Sequence, residues 1–91
     1  MITILFTKSG CPECEDLKLR GLCDNIRVES LDEPGGLALA MFYNITKDGN
    51  VKSPCLYQGL DEDDDKAALR LDGDDLVEFL FEYNYSQEAL I

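Results

Sequence analysis

The chain contains no histidine. That absence excludes any mechanism in which an imidazole serves as general base or metal ligand. Basic residues are also scarce: 8 lysines and arginines face 19 aspartates and glutamates, a net charge of −11 over 91 residues. An excess of this size opposes association with nucleic acid or with an anionic membrane surface. No apolar run approaches the ~20 residues that span a bilayer, and no basic segment with a cleavage site precedes the apolar residues 2–6. The expectation is a cytoplasmic, monomeric protein with neither nucleic acid nor membrane as partner.

The bases that exist are unevenly placed. Residues 1–60 carry a net charge of −2 and residues 61–91 a net charge of −9. The densest run, Asp61-Glu62-Asp63-Asp64-Asp65, invites a calcium reading. Counting from Asp61, however, puts Lys66 and Asp72 where a calcium loop of the EF-hand type needs glycine and glutamate. A solvated loop that protects a sheet edge, and that can steer a basic partner surface, is the expected role.

What is present is 45% hydrophobic residues, enough for one globular domain. A core over about residues 2–85 and a tail over 86–91 are expected. Residues 2–6 form a short, continuous apolar run, the signature of a strand covered on both faces. A helix is expected from Pro12 to about Cys23, with Glu13, Glu15 and Asp16 in its first turn. Residues 26–31 alternate apolar and polar and follow a strand and a helix, which predicts a parallel βαβ unit. Residues 32–36 read as a turn. The helix after it, residues 37–43, is apolar nearly all round and so is expected to be well covered.

Another turn is expected at residues 47–50. Residues 54–57 predict a short strand with proline at its first position, and residues 67–71 its hairpin partner. Asp72 or Gly73 then caps a last helix, whose Leu76, Phe79, Leu80 and Tyr83 recur at helical spacing and face the core.

Four cysteines stand at positions 11, 14, 23 and 55. Two structural disulfides would suit a secreted chain, and nothing here marks secretion. Cys11-Pro12-Glu13-Cys14 lies where the first strand hands over to the first helix. Proline costs little at the first helical position, where its missing N–H would have no partner. The Cys11 sulfur then sits over the unpaired N–H groups of a helix N-terminus, which favour thiolate over thiol. A thiolate attacks disulfides, and a second thiol one turn on can resolve the mixed disulfide. Lys8 favours the thiolate and Glu13 opposes it, so the expected Cys11 pKa lies below that of a free cysteine. The same spacing is also half of a zinc site, which would need Cys23 and Cys55 to complete it. Cys23 is expected as a small core residue at a helix end and Cys55 as a core residue, with a regulatory thiol as the second reading for Cys55.

The order β-α-β-α-β-β-α, Lys8-x-x-Cys11-Pro12-x-Cys14, Ser53-Pro54 opening the third strand and Gly73-Asp74-Asp75-Leu76 opening the last helix together resemble the glutaredoxin branch of the thioredoxin superfamily. The resemblance covers residue 2 to about residue 85. It implies an α/β thioredoxin-like fold, a four-stranded mixed sheet flanked by three helices. It implies disulfide exchange with Cys11 attacking and Cys14 resolving. It further implies a cis Ser53–Pro54 bond facing the dithiol, where the backbone of Ser53 pairs with an extended substrate. Lys8 matches the basic residue that holds a glutathione carboxylate, and Gly73, Asp74 and Asp75 match the segment that holds its amino-acid end. Loop solvation of Lys8 and plain helix capping by the aspartates are the alternatives.

No tightly bound cofactor is implied. Glutathione is the candidate co-substrate, a flavoprotein reductase the alternative electron source, and disulfide-containing proteins or small thiols are the partners. Glu13 departs from the family, which keeps an aromatic residue there; it sets a carboxylate beside a pocket for an anionic tripeptide. Two other classes of function compete: a metal or iron–sulfur carrier using Cys11, and a binding module that keeps the fold but uses the dithiol little.

Overall fold

A computed structural model describes residues 2–45, 53–62 and 66–89. The elements are β1 (Ile2–Thr7), α1 (Pro12–Leu19), β2 (Arg27–Ser30), α2 (Pro34–Phe42), β3 (Cys55–Gly59), β4 (Leu69–Leu71) and α3 (Gly73–Ala89). The expected turn at 47–50 and Asp63–Asp65 of the acidic run lie outside the described residues. The chain is α/β, a four-stranded mixed sheet with three helices, in strand order β2-β1-β3-β4. β1 runs parallel to β2 and antiparallel to β3, and β4 is antiparallel to β3.

Strand periodicity explains why β1 is mostly apolar, with only Thr3 and Thr7 polar among its six residues. Successive side chains point to opposite faces, and here both faces are covered. Ile4 and Phe6 join Cys55 and Tyr57 of β3 against Ala40 and Tyr43 of the α2 region. Leu5 and Leu56 join Leu17 of α1 with Leu76 and Leu80 of α3 on the other side. The expected stripe on α3 is seen in part: Leu76 and Leu80 are fully buried and Phe79 packs at the edge of that core. Val77 rather than Tyr83 joins it, and Tyr83 instead stacks on Phe79 with centroids 6.0 Å apart.

Several boundaries differ from the sequence reading. α1 stops at Leu19, four residues short of Cys23. Gly21 takes a positive φ of 73°, and the N–H groups of Gly21 and Leu22 return to the carbonyls of Lys18 and Leu17. These bonds close the helix end with glycine where a left-handed residue is needed. Cys23 therefore lies in the following loop, half-buried at the edge of the core. α2 begins at Pro34 inside the expected turn, with proline again at the first helical position. The strand expected at 54–57 runs instead over Cys55–Gly59, and that expected at 67–71 is shorter, Leu69–Leu71. α3 continues to Ala89, through part of the expected tail.

α2 is not covered all round. It packs on one face of the sheet through Ala40, with Gly36 also buried, and leaves Leu37, Met41 and Phe42 exposed, Met41 by 62%. One sheet face can cover only one side of a helix, and no second layer lies outside α2 among the described residues. The acidic segment is likewise not purely solvated. Asp61 accepts a 2.6 Å hydrogen bond from the Tyr43 hydroxyl, and Tyr43 stacks on Tyr57 at 4.4 Å. Arg70 donates twice to the Tyr43 carbonyl, at 2.8 and 3.2 Å, and lies over the Tyr57 ring.

Asn84 supplies the polar link between α3 and the loop after α1. Its buried amide donates to the carbonyls of Leu22 (3.0 Å) and Leu80 (2.8 Å) and accepts from Asn25 (3.1 Å). Loss of that amide strands the Leu22 carbonyl. Asn84→Ala is expected to lower stability by about 1–3 kcal/mol. Urea unfolding of the variant beside the wild type measures it, and a shift within error would show that the latch carries no load.

Candidate functional site

Cys11 ends the loop from β1 and caps α1. Its backbone is extended (φ −103°, ψ 106°), its carbonyl accepts from Glu15 N–H at 3.1 Å, and its sulfur accepts from Cys14 N–H at 3.2 Å. A sulfur in this position satisfies one of the donors that a helix start leaves open. Pro12 follows at the first helical position, as the sequence predicts. Cys11 is 9% exposed and Cys14 fully buried, and all four cysteines are free thiols.

The two thiols are driven apart in acidity. Burial pushes the Cys11 thiol up, but hydrogen bonds outweigh it: the Cys14 thiol and N–H, the Ser53 side chain and the Glu13 N–H all favour the thiolate, and the net shift is downward. The principal causes are thus short-range donors, among them the N–H groups of the helix start that the sequence suggests, and Lys8 is not one of the leading causes. Cys14 goes the other way, to about 11, first through burial and then through the hydrogen bond it gives Cys11 and the charge of Cys11 beside it. One thiol is the proton donor and the other the acceptor.

Ser53 and Pro54 stand over this pair. The Ser53–Pro54 peptide bond is cis. In the protonated state the Cys11 thiol donates to the Ser53 carbonyl at 3.6 Å. A cleft of about 440 Å³ opens here, lined by Lys8, Cys11, Pro12, Glu13 and Ser53 among others. A second, of about 340 Å³, joins Glu13, Ser53 and Pro54 to Asp72 and Gly73. A third, of about 290 Å³, is lined by Glu13, Asp16, Arg20, Pro54, Gly73 and Asp74 with apolar neighbours. Residues read from separate parts of the sequence therefore meet: Lys8, Cys11, Ser53, Pro54, Gly73 and Asp74 all reach clefts that share Glu13. Asp75 is exposed in the first turn of α3 and lines none of these three clefts. Gly73 has a φ of 59°, which accounts for glycine at the entry to α3.

Cys55 does not join the pair. It lies in the core on the α2 side of the sheet, whereas its neighbour Leu56 shares the α1 side with Leu17. Cys23 packs at the edge of that second core, and burial pushes its thiol up. Among the described residues, no group of three or more histidine, cysteine, aspartate or glutamate side chains is arranged to hold a metal ion. No described helix is long and apolar enough to cross a membrane.

One contributor escaped the sequence reading. Asp32 accepts the Ser9 N–H at 2.6 Å, which holds its carboxyl below the usual range, with the Lys8 ammonium adding to the effect. The βαβ reading gave parallel strands but not the register that brings these residues together. With Thr7 paired to Ser30 in parallel register, residues two further along each chain come level, and those are Ser9 and Asp32. Comparison with protein-family models, with curated proteins and with solved structures finds no match.

Proposed function

We propose that the chain is a thiol–disulfide oxidoreductase of thioredoxin-like fold and glutaredoxin type. The observation that carries this reading is the asymmetry of the two thiols of one Cys-x-x-Cys. Cys11 caps α1 beside a cleft with its sulfur accepting from Cys14 N–H, while Cys14 is fully buried, and their acidities are displaced in opposite directions to match. Thiolate character and access select the attacking sulfur, and the shielded thiol resolves.

The Cys11 thiolate attacks one sulfur of a substrate disulfide. The substrate S–S bond breaks, its leaving sulfur takes a proton, and Cys11 carries the mixed disulfide. The charge of Cys11 and the hydrogen bond it accepted are then gone, and with them two of the causes that raise Cys14. Cys14 loses its proton and attacks the Cys11 sulfur, releasing the second substrate thiol. The substrate gains two electrons and the protein closes a Cys11–Cys14 disulfide. Disulfide-containing proteins or small thiols are the partners, and glutathione or a flavoprotein reductase restores the dithiol.

Treating the reduced protein with hydroxyethyl disulfide tests this. Mass mapping is expected to find a Cys11–Cys14 disulfide and two released thiols per chain. Parallel recycling assays with glutathione and with a flavoprotein reductase then identify the reductant. Oxidised protein without a Cys11–Cys14 bond would overturn the reading.

A further inference from the structure

We propose that Glu13 is the specificity-determining residue of this cleft and that it selects cationic disulfides over anionic ones. The inference rests on the dithiol reading above and names its substrate class. Glu13 follows Pro12 on the first turn of α1, is exposed, and lines each of the three clefts around Cys11 and Pro54. A chain that reaches the Cys11 sulfur across Ser53 and Pro54 passes its carboxylate.

The remaining charges of the described residues do not offset it. Among the described residues, the cations that line these clefts are Lys8 and Arg20. Arg20 is held by Asp16 at 3.1 Å. Lys8 shares the Cys11 cleft with Glu13, and Asp32 is fixed to the same loop through the Ser9 N–H. Asp74 faces the third cleft from the start of α3. With Asp72 in the second cleft as well, the described lining carries more acid than base. An approaching carboxylate, such as either end of glutathione, therefore meets net negative charge along the clefts that lead to Cys11, and a lysine or arginine flanking a half-cystine meets its complement. Potentials of this kind act mainly on the rate of encounter, and salt removes them.

The test uses two symmetric peptide disulfides with the same core, one with lysines and one with glutamates beside each half-cystine, and neutral hydroxyethyl disulfide as reference. The rate of oxidation of reduced protein is followed with each. At about 0.01 M salt, where the screening length is ~30 Å, the lysine peptide is expected to react about tenfold faster or more than the glutamate peptide. Near 1 M salt, where that length is ~3 Å, the two rates converge. Glu13→Gln is expected to shrink the low-salt ratio, and Glu13→Gln with Asp74→Asn to shrink it further; using the ratio cancels any change in Cys11 reactivity. Equal rates at low salt, or a faster glutamate peptide, with hydroxyethyl disulfide still closing the Cys11–Cys14 bond, would overturn the inference and leave the dithiol reading standing. Reaction with none of the three disulfides would overturn the dithiol reading itself.

Discussion

Cys11→Ser is expected to abolish disulfide reduction, by more than about 10³-fold, since the attacking sulfur is gone and a serine hydroxyl at neutral pH is a poor substitute. Cys14→Ser is expected to fail differently. Its Cys11 keeps the Cys14-position N–H, the Glu13 N–H and the Ser53 side chain that favour its thiolate, so the first exchange still runs. The second cannot, because no thiol remains in the next turn. A mixed disulfide then accumulates in Cys14→Ser and not in Cys11→Ser. Non-reducing mass spectrometry after exposure to a disulfide substrate, with no other thiol present, reads both. Trapping by Cys11→Ser equal to that of Cys14→Ser would mean that the roles are reversed. Wild-type turnover by Cys11→Ser would mean that the chemistry lies elsewhere.

Gly36→Ala is expected to be among the most damaging single-atom-group changes in the fold. Gly36 sits in the first turn of α2, where the helix crosses the end of β2. A methyl group there would collide with the Ser30 carbonyl oxygen and lie 2.7 Å from its carbonyl carbon. Both are backbone atoms of a strand paired to β1, so neither can rotate away, and either α2 or β2 must move. The expected loss is about 3 kcal/mol or more, at the upper end of what overpacking costs. Gly35 provides the control. A Cβ on Gly35 meets nothing within 4 Å, and alanine is the better helix former, so Gly35→Ala is expected to be neutral or stabilising by up to ~1 kcal/mol. Denaturant unfolding of the two variants side by side measures this. Equal midpoints would contradict the close approach of α2 to β2.

That pair of glycines also shows where sequence reading stops. Pro34-Gly35-Gly36 carries the signature of a turn, yet Pro34 opens a helix whose second glycine lies against the Ser30 backbone of β2. Gly36 is small because a strand backbone lies against it, and nothing in the local pattern encodes that strand. The exposed Leu37, Met41 and Phe42 were misjudged for a related reason: an apolar composition does not say how many layers are available to cover it. β1 was legible because burial on both faces leaves no polar alternation, and α3 because Leu76 and Leu80 recur at helical spacing.

At the site, the order of elements and Cys11-Pro12 sufficed to place a sulfur at a helix start. The resemblance sets Lys8, Ser53, Pro54, Gly73, Asp74 and Asp75 around that sulfur. Lys8 and Ser53 share its cleft, Pro54, Gly73 and Asp74 line neighbouring clefts that also reach Glu13, and Asp75 lines none of the three. The cause of the Cys11 shift was only partly legible. The N–H groups of the helix start follow from Cys11-Pro12, whereas the Cys14 thiol and the Ser53 side chain come within hydrogen-bond reach only through the fold.

The most direct test of the dithiol account is the pH dependence of alkylation of the reduced protein, with each cysteine mapped by mass spectrometry. Cys11 is expected to label first, with a midpoint below the 9.0 of an ordinary thiol, while Cys14 stays protected until about pH 11. A single shared midpoint near 9.0, or labelling of Cys14 ahead of Cys11, would contradict it.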